Sequence, residues 1–179
     1  MNHNHRTIRH LVYSAVLLAI ALVLPMITGQ IPSIGNMLCP MHIPVLLCGF
    51  ICGWPWGLAV GFIAPILRGV IFGVPPFIPK GLSMACELAT YGFLSGMIFT
   101  ALKKTNKAVW IALISSMLAG RIVWGIMRTV LAPLTGEPFT FEMFIAGAIT
   151  TAIPGIIIQI ILVPVLVSAI RKSKALYRN

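Results

Sequence analysis

Acidic residues are almost missing from this chain. Its 179 residues include three Asp and Glu together, against thirteen Lys and Arg, and charged residues make up 9% of the whole. A soluble domain carries about 25%, so water could not solvate this surface, whereas lipid could. The shortage of carboxylates leaves no acidic pair or Asp cluster for metal-assisted phosphoryl chemistry. No G-x-x-x-x-G-K-[ST] occurs, so the chain holds no nucleotide through a P-loop. A Ser-His arrangement at a plausible depth for intramembrane proteolysis is also lacking, and an enzyme is not expected. No internal repeat is evident of the kind that favours a self-sufficient secondary transporter. Cysteine is scarce too. Cys48 and Cys52 stand one helical turn apart in an apolar run, and Cys39 and Cys86 stand apart from them. Without carboxylate or His partners at ligand spacing, they read as small buried hydrophobes, and no metal is expected.

What is present is apolar sequence, 59% of the chain, broken by Gly and Pro. Runs at 11–27, 41–53, 57–73, 81–102, 108–131 and 143–170 predict six transmembrane helices in one all-α membrane domain spanning 1–179. Arg6 and Arg9 precede the first run, and no small-residue cleavage site follows it cleanly, so it reads as a retained span. The breaks are residues 28–40, the Gly53-Trp54-Pro55-Trp56-Gly57 turn, Val74 to Pro79, and residues 133–142. The second and third runs are short for a full crossing.

The net charge of +10 is not a nucleic-acid signal, because the basic residues gather at the ends of the apolar runs. With six spans, Arg6, Arg9, Lys103, Lys104, Lys107, Arg171, Lys172, Lys174 and Arg178 share one side. Glu137 and Glu142 lie on the other, with Lys80 at a boundary. Positive-inside asymmetry then predicts that both termini are cytoplasmic, in a multi-pass protein of a bacterial plasma membrane.

Five charges remain within or at the rim of spans: Arg68, Lys80, Glu87, Arg121 and Arg128. Charge at membrane depth usually faces a cavity or a partner. Lys80, Met84, Glu87 and Tyr91 follow one helical stripe, and Arg121, Trp124, Gly125 and Arg128 follow another. The two stripes would open outward as a pocket. Four positive charges against one negative suggest an anionic ligand, for which Arg offers two parallel hydrogen bonds to a carboxylate. Any one of these residues reads equally well as a structural group, with Arg68 or Arg128 locking helices through Glu87, or Lys80 snorkelling to the headgroups. The set of five favours a cavity. Small residues recur at four-residue spacing: Gly49, Gly53, Gly57 and Gly61, then Gly92 and Gly96, which read as close helix packing, and Ala15 and Ala19, whose alternative is docking to another membrane subunit.

The chain resembles the substrate-specific S components of energy-coupling factor (ECF) transporters over nearly its whole length. Ala15-Val-Leu-Leu-Ala19 resembles the alanine motif by which the first helix of S components docks on the membrane T component. The run CPMHIPVLLCGFICGWPWG at 39–57 resembles the second helix and its following turn, and PKGLSMACELATYGFLSG at 79–96 resembles helix four of the pantothenate- and folate-type branch. The resemblance implies a subunit that binds a water-soluble vitamin from outside, docks on the T component and topples inward, with two partner ATPases supplying energy. Pantothenate is the first candidate, followed by folate or another carboxylated vitamin, and then by pyridoxine or a cobalamin precursor. The expected ligand contacts are Arg68, Glu87, Tyr91, Trp124 and Arg128, with Lys80 and Arg121 in the same pocket and Asn36 and His42 from the first loop and its exit. Two alternatives compete: an assembly protein whose charges only pair helices, and an autonomous transporter or channel.

Overall fold

The computed structural model describes residues 3–28, 39–136, 138–150 and 152–172. Asn36 lies outside them, as do Glu137, Lys174 and Arg178. The described chain is helical throughout, with no β-strand: α1 (His3–Thr28), α2 (His42–Cys52), α3 (Trp54–Phe72), α4 (Leu82–Ala101), α5 (Asn106–Thr135), a one-turn α6 (Phe141–Ile145) and α7 (Ile153–Lys172). Wide turns at Phe77–Gly81 and Ala146–Thr150 lead into α4 and out of α6. Among the described residues, five segments are long and apolar enough to cross a membrane: His5–Ile27, Trp54–Phe72, Phe77–Ala101, Asn106–Thr135 and Phe141–Lys172.

The sixth helical segment, α2, has 11 residues. At 1.5 Å per residue it covers about half of a 30 Å hydrocarbon core. It is also the most enclosed, every residue from His42 to Phe50 being buried. A single residue, Gly53, separates it from α3. That position has φ +94°, where a side chain is strained, and its N–H closes α2 on the Gly49 carbonyl at 3.1 Å. Pro55 then falls in the first turn of α3, where its missing N–H has no intrahelical partner to lose.

Of the glycines predicted to pack, Gly49, Gly57, Gly61, Gly92 and Gly96 do so, whereas Gly53 serves the positive-φ turn and meets no neighbouring helix closely. α4 runs against α2, α3 and α5. A methyl group on Gly57 would strike the Gly92 carbonyl, one on Gly92 the backbone of Gly57, and one on Gly61 the Leu88 carbonyl. On the same face, Gly96 meets the backbone of Trp54. Backbones this close gain dispersion contacts that any larger residue would forfeit.

α1 rests on α2 and α3 alone among the helices it contacts extensively. Ser14 and Cys48 meet at 3.5 Å across the first seam. Ala15 and Ala19 point away from the bundle and are exposed, amid Val12, Val16, Ile20 and Val23.

The two ends of the bundle differ. Thr105 caps α5 by accepting the Ala108 N–H, and Arg171 near the end of α7 donates to Asn106 Oδ1 at 2.9 Å. Lys103, Lys104, Lys107, Arg171 and Lys172 therefore collect at one end. The starts of α2 and α4 and the ends of α1, α3 and α5 form the other.

Several boundaries differ from those read in the sequence. α1 starts at His3 rather than at 11, and Trp54 to Trp56 belong to α3 instead of a turn, so the third span, read as short, is long enough to cross. α5 passes through Pro133 and ends at Thr135, before Gly136 with φ +69°. Proline removes one hydrogen bond, and the last turn of a long helix tolerates this. The run at 143–170 is not one helix. It opens into the wide turn at Ala146–Thr150 before α7 begins, so hydrophobicity persists where helical geometry is interrupted.

Candidate functional site

The end away from the lysine-rich turn holds a cavity of about 810 Å³, within the usual range for small-molecule sites. Its wall takes Pro25 from α1, residues 39–42, Arg68 from α3, Val74, Pro75 and Lys80 from the following loop and turn, Met84 and Glu87 from α4, and Arg121, Trp124 and Arg128 from α5. Phe139, Met143, Gly147 and Ala152 complete it. The charged residues converge because α4 and α5 are consecutive and packed together. With antiparallel axes, Lys80 and Arg128 sit toward the mouth, Glu87 and Arg121 toward the floor.

Glu87 organises the floor. It is 2% exposed, and three groups meet a single oxygen, Oε1. Arg121 Nη1 lies at 3.1 Å, the Tyr91 hydroxyl donates from 3.2 Å, and His42 Nε2 lies at 3.4 Å without hydrogen-bond alignment. The partner of Glu87 is thus Arg121 rather than Arg68 or Arg128, because the α4–α5 register sets those two at the same depth. Arg121 also directs Nη2 to Cys39 Sγ at 3.8 Å. The pair is internally neutral, and its burial is tolerable only because each charge has the other.

The mouth is different. Arg68 donates to the Leu22 carbonyl of α1 at 3.0 Å and lies 5.6 Å from the centre of the Phe72 ring. Arg128 lies 5.2 Å over Phe139, and its buried Nη1 finds no hydrogen-bond partner among the described residues. Lys80 is exposed. A carbonyl or a ring orients a cation without neutralising it. Among the described lining residues Glu87 is the one carboxylate, and Arg121 answers it. Three cations therefore have no carboxylate partner among the described residues.

An aromatic wall stands beside them. Trp124 meets Phe139 edge-on at 5.6 Å and stacks with Phe144 at 6.2 Å. A Cβ on Gly147 would come within 2.5 Å of the indole, and one on Gly125 would strike Phe144, so both glycines seat the wall.

Of the residues singled out by sequence, His42, Arg68, Lys80, Glu87, Arg121, Trp124 and Arg128 line the one cavity. Tyr91 stands behind Glu87, its ring against Gly120 and 5.1 Å from His42. Asn36 lies outside the described residues. Sequence reasoning missed Cys39, Phe139, Met143 and Gly147. Phe139 is an aromatic in a loop, where no periodicity points. Met143 and Gly147 were hidden inside a run that looked like plain span.

A model of the family described as "ECF transporter, substrate-specific component" matches residues 9–167. No curated protein and no solved structure matches the chain. The family match covers all of the helices that build the cavity, and its members are multi-pass membrane subunits that bind small molecules for vitamin-type uptake, with a T component and ATPases as partners. On that match the chain belongs to the substrate-specific components of ECF transporters.

Proposed function

We propose that this S component captures an anionic, water-soluble vitamin, with pantothenate the first candidate and folate or another carboxylated vitamin next. One observation carries the reading: among the described residues, the cavity holds Arg68, Lys80 and Arg128 with no carboxylate left to neutralise them, since Glu87 is taken by Arg121. A ligand carboxylate entering there gains charge-assisted hydrogen bonds, bidentate where Arg128 presents its unpaired Nη1. The cluster of basic residues at the opposite end supports a cytoplasmic location for that end, and so a cavity open to the outside of a bacterial plasma membrane. The exposed Ala15 and Ala19 on α1 support docking to the T component through that helix, because small side chains let another helix approach closely. Binding would belong to this chain and energy to the two ATPases.

The test is native mass spectrometry of the gently solubilised protein purified from vitamin-rich medium. A co-purifying small organic acid is the expected result. An empty spectrum, with no thermal shift across a vitamin panel, would favour an assembly protein whose charges only pair helices. Uptake by vesicles holding this chain alone would instead indicate an autonomous transporter.

A further inference from the structure

The cavity charges are sorted by depth. Glu87 and Arg121 touch at the floor. Lys80 precedes Glu87 by seven residues and Arg128 follows Arg121 by seven. On antiparallel helices both steps run toward the mouth. Seven residues at 1.5 Å each put the backbone level of the cations about 10 Å above that of the floor pair.

The floor has an unused acceptor. All three contacts to Glu87 fall on Oε1, and Oε2 receives none among the described residues. His42 lines the cavity beside it, and its Nδ1 also lacks a partner among the described residues. A carboxylate oxygen held at the base of a cavity accepts a hydroxyl or N–H strongly but repels another anion. Electrostatics thus opposes a ligand carboxylate at the floor and favours it at the mouth.

The geometry points to a ligand with two different ends, bound in one direction: an anionic group between Lys80 and Arg128, and a hydroxyl or N–H donor about 10 Å away on Glu87 Oε2. This rests on the capture reading above and adds orientation and substrate class to it. Simple fatty acids lack the donor, polyols lack the anion, and compact dicarboxylates would set their second charge against Glu87. Hydroxylated or amide-bearing monocarboxylates meet both demands.

The test compares an acid with its neutral analogue on the purified full chain, by isothermal titration. Pantothenate and pantothenol share the hydroxylated end and differ in the carboxylate. The wild-type protein is expected to prefer pantothenate at least about tenfold, the factor that one charge-assisted hydrogen bond supplies. Lys80→Gln combined with Arg128→Gln should bring the two within about twofold of each other by removing that bond. Glu87→Gln should weaken both by a similar factor and keep their ratio. The mouth variants leave the floor pair untouched, so they still read orientation if the Glu87 variant does not fold. Biotin and biotinamide repeat the comparison where the acid held is not pantothenate. A preference that survives the mouth substitutions, or that collapses in Arg121→Gln alone, overturns the orientation while leaving capture intact. Failure of every acid to bind removes the capture reading and this inference with it.

Discussion

Replacing Arg121 by Met should destabilise the fold far more than replacing any exposed charge. At the observed 3.1 Å, two unit charges attract by about 5 kcal/mol at an effective dielectric of 20. Desolvation offsets much of that while the pair is intact. It becomes a direct cost once Glu87 is left buried and alone, and breaking such pairs costs about 3–5 kcal/mol. The hydroxyl of Tyr91 softens the loss, since it still donates to Glu87. The pair also joins α4 to α5 beside α2, so its loss loosens three helices at once. For a chain of this size each kcal/mol moves the melting temperature by about 2–4 °C, so the expected fall is about 10 °C, measured by thiol-reactive dye or by the monodisperse fraction after heating in detergent. The double variant Arg121→Met with Glu87→Leu removes both charges and should recover most of it. If the single substitution shifts melting by less than about 2 °C, or if the two substitutions simply add, Glu87 and Arg121 are not coupled and the neutral-floor argument fails.

The packing glycines make a separate prediction. Gly92→Ala would drive a methyl into the Gly57 backbone, which cannot move aside as a side chain can, and should cost about 1–3 kcal/mol in the same melting assay. The atoms nearest a methyl on Gly147 are those of the Trp124 indole; Gly147→Ala should change tryptophan fluorescence and ligand affinity while leaving melting within about 2 °C. Arg171→Ala removes an exposed bond to Asn106 and should cost less than about 1 kcal/mol. Bulky residues at Ala15 and Ala19, both exposed, should leave vitamin binding unchanged but abolish uptake in cells that supply the T component and ATPases; uptake at the wild-type rate would remove α1 as the docking helix.

The helices were legible because hydrophobic run length is a local property, and so were the stripes, because helical spacing fixes which side chains share a face. Lys80, Glu87, Arg121 and Arg128 could be gathered from sequence since α4 and α5 are neighbours joined by a short turn. The identity of the ion pair could not. It depends on the relative register of two helices, and one turn of slippage would have offered Glu87 to a different arginine. Phe139 and Met143 were invisible for another reason. Phe139 sits in the loop before the run, where no periodicity applies, and Met143 lies just ahead of the interruption at Ala146–Thr150, which nothing in the apolar composition of that run announces.

That interruption bears on how the cavity works. As it stands, Phe144 and Gly147 lie along α5, Gly147 against the Trp124 indole and Phe144 stacked on it. The cations sit on the long helices α3 and α5 and on the turn into α4, whereas the aromatic cover comes from a short helix and a wide turn. A charge on a rigid helix is preorganised for its anion and loses little entropy on binding. A cover built from short pieces has fewer neighbours to hold it and opens at lower cost. The cations proposed above to hold the anion thus sit on long helices and a turn, and the aromatic cover on the short segment that follows α5.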